Sequence, residues 1–258
     1  MTLIRPRLTD YHGIHKSQSD VDFAIQFFDE DIPLYVDPFL LWNSPSQQDQ
    51  ALHTTIINSY NQLNYLIKKN KVDEAIEILV NISECSEVGL GVSKTRKGVR
   101  MGTKQAKEIL GLFSDIPEYS QFGFSHFEVI QLYVAGISKD RVSDIACNYI
   151  KSFLIDYTME QCETHAIPME GVILDTLYNY RTNKVDLNVK HRLPVNPNTK
   201  EPIIFTPKRW LKFNPWINYE NYFEIYCPRD EVFNPNEPVE SVKVLNFNRD
   251  NYGVVEDY

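Results

Sequence analysis

The chain has 258 residues, a hydrophobic content of 43 %, an aromatic content of 12 % and a formal net charge of -9 at pH 7. This composition supports a folded core and excludes a globally disordered chain, and the negative charge disfavours nucleic-acid binding by the whole surface. No run of about 18 apolar residues and no signal-peptide pattern is present, so the sequence predicts a cytoplasmic protein without a membrane span.

Helical periodicity dominates the first half of the chain. The dense apolar run at 32–42 predicts a short buried strand that is broken at Pro38. Apolar residues at helical spacing predict helices at 47–69, 72–83 and 103–113. Because only Asn70 and Lys71 join the first two helices, we expect these helices to form an antiparallel pair.

The second half predicts one long helix followed by strands. Residues 138–163 carry an apolar stripe that predicts a continuous helix, buried along Val142, Ile145, Tyr149, Phe153 and Leu154. Residues 185–212 predict a hairpin, with strands at 185–189 and 203–206 and a turn around 194–202. The sequence therefore predicts a single α+β (mixed α/β) domain over 1–230, with a long central amphipathic helix and a C-terminal β-hairpin, and a loop-rich acidic tail at 231–258.

Two segments are strongly basic within this acidic chain. Residues 89–107 contain six basic residues and no acid, and residues 181–212 contain eight basic and two acidic residues. Local positive fields of this kind attract phosphate or carboxylate groups. The glycine-rich loop 89–102 allows close backbone approach to an anion, although its glycine spacing does not match a Walker loop. The alternative is a solvated basic loop without a ligand.

The second basic segment also carries aromatic residues. Lys208 and Arg209 precede Trp210, and Phe213 and Trp216 follow. Such interleaving can follow a nucleic-acid backbone and stack on bases. The alternative is that the aromatic residues anchor the core while the basic ends reach solvent. On the first interpretation, the substrate-binding residues are Arg96, Lys97, Arg100, Lys208 and Arg209.

Three aspartates are candidates for a metal site. Asp37 lies in an otherwise apolar run, where a carboxylate is costly unless it is paired or ligating, although it can also begin a turn. Asp140, Asp144 and Asn148 recur every four residues on one helix face, where acids also suit the helix dipole. On the metal hypothesis, Asp37, Asp140 and Asp144 hold Mg²⁺, Lys94 stabilises charge on the phosphate and Arg141 orients the substrate.

Histidine and cysteine spacing predicts no zinc site. His12 and His15 form an HxxH pair, but in an irregular N-terminal segment, and the other histidines are scattered. The four cysteines have no CxxC spacing and are expected to be reduced and buried.

Three strings of the sequence, at 34–42, 136–144 and 202–209, resemble a family of bacterial proteins from mobile-element and defence gene neighbourhoods. The resemblance covers most of the chain and implies a nucleic-acid or nucleotide substrate, without an assigned activity or catalytic residue. We therefore expect a metal-dependent phosphodiesterase or nuclease-type effector, in a setting such as antiviral defence. The alternative is a non-catalytic subunit that binds nucleic acid, or a protein partner in a multi-subunit complex, through its basic surface.

Overall fold

The computed structural model describes residues 7–11, 16–96, 98–234 and 236–258, with the backbone alone for Tyr11. They form one α+β domain with two small antiparallel sheets. In chain order the elements are α1 (Leu8–Tyr11), β1 (Tyr35–Val36), α2 (Pro38–Trp42), α3 (Gln47–Lys68), α4 (Val72–Asn81), α5 (Thr103–Asp115), α6 (Pro117–Phe122), α7 (Lys139–Tyr149), α8 (Lys151–His165), β2 (Glu170–Asn179), β3 (Lys184–Leu193), β4 (Leu211–Lys212), α9 (Tyr219–Asn221), α10 (Arg229–Val232), α11 (Ser241–Asp250) and α12 (Tyr252–Glu256). None of the described helices is long and apolar enough to cross a membrane.

The core is built mainly from helices α3, α4, α5 and α7. Helix α3 begins at the N-cap Ser46, whose hydroxyl accepts a hydrogen bond from the Asp49 N–H. Its apolar stripe buries Ile56, Tyr60 and Leu63. The predicted helices at 47–69, 72–83 and 103–113 are confirmed, because each has enough periodic apolar residues to cover one side of the core. All four cysteines are buried and unbridged.

The predicted continuous helix at 138–163 is wrong in one respect, since it is interrupted at Ile150 and forms α7 and α8. Ile150 has backbone angles of φ -106° and ψ 16°, outside the helical region, although its apolar side chain continues the stripe. Directly after it, the buried ammonium group of Lys151 meets the Glu87 carboxylate at 2.7 Å. Leu154 is fully buried as expected, whereas Phe153 is only half-buried, against Trp210.

The hairpin lies earlier in the chain than its predicted strands. Strand β2 pairs with β3, with Glu170 opposite Leu193 and Asn179 opposite Lys184. Residues 203–206 belong to no helix and to neither sheet, and the strand that pairs with β3 is β2, so the predicted second strand is wrong. The predicted turn around 194–202 is present, and Val195 pairs with Pro202 across it in an isolated β-bridge. The pairing does not continue into a ladder with β3.

The second sheet joins distant parts of the chain. Strand β1 pairs with β4, with Tyr35 opposite Lys212 and Val36 opposite Leu211. The Val36 N–H also donates to the Ser143 hydroxyl, which fixes this strand on α7. Strand β1 therefore carries α2 and the segment after β4 to one side of the helical core.

The C-terminal segment is helical, which corrects the expectation of a loop-rich tail. Helices α11 and α12 bury Val244, Leu245 and Val255 against the core. The amide of Asn248 donates to the Leu132 carbonyl at 2.7 Å and accepts from the Tyr222 hydroxyl. Apolar residues spaced among many polar ones were enough to form this short amphipathic helix.

Candidate functional site

The basic loop uses its arginine as a structural anchor. The side chain of Arg96 is buried, and its guanidinium donates to the carbonyl oxygens of Phe27, Ser86 and Glu87 at 2.8, 3.2 and 3.4 Å. Lys94 is exposed, and so is Arg100, which lies 3.4 Å from the Asn81 side-chain oxygen. Lys97 lies outside the described residues, as do His12 and His15. Of the loop cations, Arg96 is thus fixed by backbone carbonyls, although its side chain also borders an open cavity of about 310 Å³ beside Lys200.

Arg141 fastens this loop to α7. Its guanidinium donates to the carbonyl oxygens of Ser83 and Val99 and lies 3.4 Å from the Glu84 carboxylate. Arg141 was predicted to orient the substrate through its guanidinium N–H groups. Here those N–H groups donate to backbone carbonyls of the protein itself.

The predicted cations of the second basic segment also have protein partners. The Lys208 ammonium donates to the carbonyl oxygens of Gln18 and Val21. Arg209 forms a bidentate pair with the buried carboxylate of Asp49, at 3.0 and 2.7 Å. This geometry holds the residues before β4 against α3.

A cluster of carboxylates lies beneath the basic loop. Burial raises the pKa of Glu84 and Asp140 and raises that of Asp144 well above its usual range. Asp144 accepts a hydrogen bond from the Cys85 N–H, and the Asn148 amide donates to the carbonyl oxygens of Ile82 and Glu84.

The loop covers these acids with glycines. A Cβ atom at Gly91 would collide with the Asp140 carboxylate, and one at Gly98 would collide with that of Glu84. The backbone of the loop therefore rests on the two carboxylates, which an ordinary residue at either glycine would prevent.

Asp37 lies apart from the other two predicted metal ligands. It is the N-cap of α2, and its carboxylate accepts from the Phe39 N–H at 3.2 Å and the Trp216 N–H at 2.9 Å. Burial raises its pKa to about 6, and its charged neighbours are Glu128 and Lys212. Asp140 and Asp144 interact instead with Glu84 and Arg141, so the structure does not bring the three aspartates to one point.

The convergence occurs elsewhere, at His53, His126 and Glu128. In the part of the chain that the structure describes, this is the one group of three such side chains whose ligand atoms all lie within 4.8 Å of one another. His53 comes from the buried face of α3, and the other two come from the start of the 3₁₀ segment Phe127–Leu132. We call these three residues the His–His–Glu centre.

The polar atoms of this centre lack hydrogen-bond partners. The side chain of Glu128 is 1 % exposed, yet neither of its carboxylate oxygens accepts a hydrogen bond. His53 Nε2 and His126 Nδ1 are also buried without a partner. His126 Nδ1 lies 3.5 Å from Glu128 Oε1, which is an ion-pair distance without hydrogen-bond geometry. Buried polar groups without partners are costly in folded proteins, and a bound water or a cation is the kind of partner that would satisfy these atoms.

The electrostatic environment of the centre favours a cation. Burial lowers the pKa of His53 and so favours its neutral, metal-binding form. Burial also acts to lower the pKa of His126, but the Glu128 carboxylate outweighs it and raises that pKa overall. The carboxylates of Glu256 and Asp37 act on His126 in the same direction.

One residue of the centre, His126, borders the surface, while the unpartnered atoms of the centre are themselves buried. The side chain of His126 is partly exposed and lines an open cavity of about 180 Å³ together with Tyr119, Ser125 and Glu256. On another side, the ring of Trp42 meets that of His126 with centroids 5.2 Å apart. A ligand in this cavity would therefore lie beside His126 and between aromatic side chains.

The sequence contains weak signals of this centre. His53 precedes Ile56 by three residues and Tyr60 by seven, so it falls on the apolar stripe of α3. His126 and Glu128 stand two residues apart, just before the buried run 129–134. A histidine on a buried stripe and an isolated HxE pair each occur commonly without a metal, and only the fold brings them together.

Comparisons with known proteins identify one family. A family model described as "Domain of unknown function (DUF8370)" matches residues 13–218, which include His53, His126 and Glu128. No curated protein and no solved structure matches the chain.

Proposed function

Because this chain belongs to the DUF8370 family, whose description assigns no activity, we propose from the site alone that it is a metal-dependent phosphodiesterase of the nuclease type, with its metal held by His53, His126 and Glu128. The observation that carries the proposal is the carboxylate of Glu128, which is buried without a hydrogen bond beside two imidazoles. A divalent cation would give each of these three side chains a partner.

The donor set favours a transition metal. Two imidazoles and one carboxylate are ligands that suit Zn²⁺, Mn²⁺ or Fe²⁺, whereas Mg²⁺ prefers oxygen ligands alone. Tetrahedral ligands with bonds near 2.1 Å lie about 3.4 Å apart, so atoms now within 4.8 Å need only side-chain adjustments to bind. A three-ligand site also leaves a coordination position for water or substrate.

The surrounding side chains fit hydrolysis. When bound, such a cation lowers the pKa of water and polarises a phosphoryl oxygen. The exposed carboxylate of Glu256 lines the same cavity as His126 and is placed to accept a proton from attacking water. Lys212 acts electrostatically on Asp37 and so places a positive charge near the centre, where it can stabilise a phosphate.

The test combines metal binding with catalysis. Metal-free protein is titrated with Zn²⁺, Mn²⁺ and Mg²⁺ in a calorimeter, and hydrolysis of bis(p-nitrophenyl) phosphate is measured with each metal. We expect one Zn²⁺ or Mn²⁺ per chain and metal-dependent hydrolysis. His126→Ala should lose at least ~10-fold in metal affinity and all hydrolysis. The matched control His165→Ala removes a half-buried histidine that contacts Phe23, and it should change neither.

Two results contradict the proposal. Absence of stoichiometric binding, or equal binding by His126→Ala, removes the metal centre. Tight metal binding without hydrolysis of any phosphodiester, including short DNA and RNA, removes the enzyme and favours the alternative of a non-catalytic binding subunit. A role in bacterial defence rests on the sequence resemblance alone and is tested by phage challenge of cells that carry the wild-type or the His126→Ala gene.

A further inference from the structure

An exposed aromatic surface adjoins the His–His–Glu centre. The side chains of Trp42 and Trp216 are 48 % and 54 % exposed. The ring of Phe39 lies between them, with centroid distances of 5.1 Å to Trp42 and 5.6 Å to Trp216. Trp42 also touches His126, at a centroid distance of 5.2 Å. We call Phe39, Trp42 and Trp216 the aromatic platform.

The backbone holds the platform in place. The carboxylate of Asp37 accepts hydrogen bonds from the N–H groups of both Phe39 and Trp216, so one buried side chain fixes two of the three residues. The Tyr258 hydroxyl donates to the Trp216 carbonyl at 3.0 Å. Exposed tryptophans on a fixed backbone lose little further conformational entropy when a ligand stacks on them.

Two lysines provide positive charge beside the platform, because Lys212 contacts Trp216 and Lys139 lies over the ring of Tyr35, the strand partner of Lys212. The Lys212 ammonium lies 4.1 Å from the centre of a Trp216 ring. The Lys139 ammonium lies 5.5 Å from the ring centre of Phe213, which is itself exposed. Among the described residues, neither lysine forms an ion pair with an acid, whereas Arg209 and Arg141 do. The Lys139 ammonium also donates to the exposed Asn214 side-chain oxygen at 3.4 Å, so a ligand anion would replace that long hydrogen bond, and no acid in the described part of the chain competes for either lysine.

We propose that the aromatic platform, with Lys212 and Lys139, binds single-stranded nucleic acid and presents its backbone to the His–His–Glu centre. The inference rests on the proposed phosphodiesterase function and names its substrate class. Bases of a single strand have free faces that stack on Trp42 and Trp216, and the lysines contact the phosphates between them. A duplex covers those faces with neighbouring base pairs, so it offers the platform only its phosphates.

Binding is measured by fluorescence anisotropy of a labelled oligothymidylate, with metal-free protein so that no cleavage takes place. A duplex of the same length is measured in parallel. We expect the single strand to bind more tightly than the duplex, and Trp216→Ala and Trp42→Ala each to weaken single-strand binding about 5-fold or more. Lys212→Ala should weaken it as well and reduce the dependence of affinity on salt concentration.

The matched control is Tyr65→Ala on α3. Tyr65 is 53 % exposed, and the Lys69 ammonium lies 5.5 Å from its ring centre, so the pair repeats the platform's chemistry elsewhere on the surface. This variant should bind the strand like the wild type. Circular dichroism of every variant checks that the fold is retained, which exposed positions should allow.

The inference falls if duplex and single strand bind equally, or if the two tryptophan variants bind like Tyr65→Ala. It also falls if Trp216→Ala dissociates a dimer in sedimentation, because the platform is then covered by a second copy of the chain. The separate assays distinguish the two proposals. Tryptophan-dependent strand binding without metal binding refutes the phosphodiesterase alone, and metal-dependent hydrolysis of the small phosphodiester without strand binding refutes the platform alone.

Discussion

Glu128→Gln is expected to change stability in opposite directions with and without metal. The amide keeps the shape of the side chain but removes a buried negative charge whose two oxygens accept no hydrogen bond. In metal-free protein the substitution should therefore stabilise the fold, since a buried charge whose one ionic contact lacks hydrogen-bond geometry is costly. When metal is added, the variant lacks the anionic ligand of the His–His–Glu centre, so the metal should stabilise it much less than it stabilises the wild type.

The magnitude follows from the burial and the one nearby cation. Full desolvation of a carboxylate costs several kcal/mol, and the His126 imidazole at 3.5 Å offsets part of that cost. We expect metal-free Glu128→Gln to gain about 1–3 kcal/mol over the wild type, or roughly 2–10 °C in Tm for a chain of this size. Metal at a concentration 100 times Kd should stabilise the wild type by about 2.7 kcal/mol, roughly 5–10 °C.

Differential scanning calorimetry of both proteins, with chelator and with Zn²⁺ or Mn²⁺, provides the measurement. Glu84→Gln is the control, because it removes another half-buried carboxylate outside the centre and should keep the full response to metal. A metal-free Glu128→Gln that is less stable than the wild type by several kcal/mol would identify Glu128 and His126 as a structural ion pair. An unchanged response to metal in the same variant would refute the site.

Three further predictions concern the fold and the acidic cluster. Arg96→Ala should lower the free energy of unfolding by about 2–4 kcal/mol in urea titrations, because three carbonyls lose a charged donor. The control Lys94→Ala changes an exposed residue and should alter the free energy of unfolding by no more than about 0.5 kcal/mol. Equal effects of the two substitutions would contradict the anchoring role of Arg96. Burial raises the folded-state pKa of Asp144 above its ordinary 3.8, so the stability that this group contributes is fully present below pH 3.8 and is lost as the pH rises through the folded-state pKa. Asp144→Asn should therefore remove this loss from a series of Tm values measured between acidic and neutral pH. A pH profile of Tm that does not change in the variant would contradict the raised pKa. Leu154→Ala should lower the free energy of unfolding by about 2–5 kcal/mol, because Leu154 is fully buried. Phe153→Ala should lower it by less than is typical of a fully buried phenylalanine, because Phe153 is only half-buried. A larger loss for Phe153→Ala than for Leu154→Ala in urea titrations would contradict these two degrees of burial.

Local sequence patterns sufficed for the long helices of the core, except at Ile150. Helices α3, α4 and α5 follow from periodic apolar residues because each presents one face to the core. The break at Ile150 does not interrupt that pattern, since Ile150 is itself buried and apolar. It accompanies the buried pair of Lys151 and Glu87, whose members are 64 positions apart in the chain, and so depends on a contact that periodicity does not record.

The candidate site was less predictable because its parts come from distant segments. The stripe of Asp140, Asp144 and Asn148 was predicted as a polar face, but the preceding part of the chain covers it and gives the Asn148 amide two carbonyl acceptors, those of Ile82 and Glu84. His53 and His126 are separated by 72 intervening residues, and each has an ordinary local context. Their convergence with Glu128 depends on the packing of α3 against the 3₁₀ segment, which no spacing rule encodes.

Asp37 has the partners that its place in an apolar run requires. An acid in an apolar run was expected to be paired or ligating, and Asp37 is indeed buried with two backbone donors. Those donors belong to Phe39 and Trp216, so the carboxylate positions the aromatic platform next to Glu128. The sequence thus identified a residue that required partners, although it could not indicate which partners the fold would supply.

The structural and the candidate functional residues of this protein differ in the hydrogen-bond partners of their buried charged groups. Arg96, Arg141 and Arg209 have carbonyl or carboxylate partners that use their donors and hold loops to helices. Glu128 is as deeply buried as Asp49, yet Asp49 accepts three side-chain hydrogen bonds and Glu128 accepts none. Among the described residues, the one ion-pair partner of Glu128 is the His126 imidazole at 3.5 Å, and this difference from Asp49 is the observation on which the proposed metal centre rests.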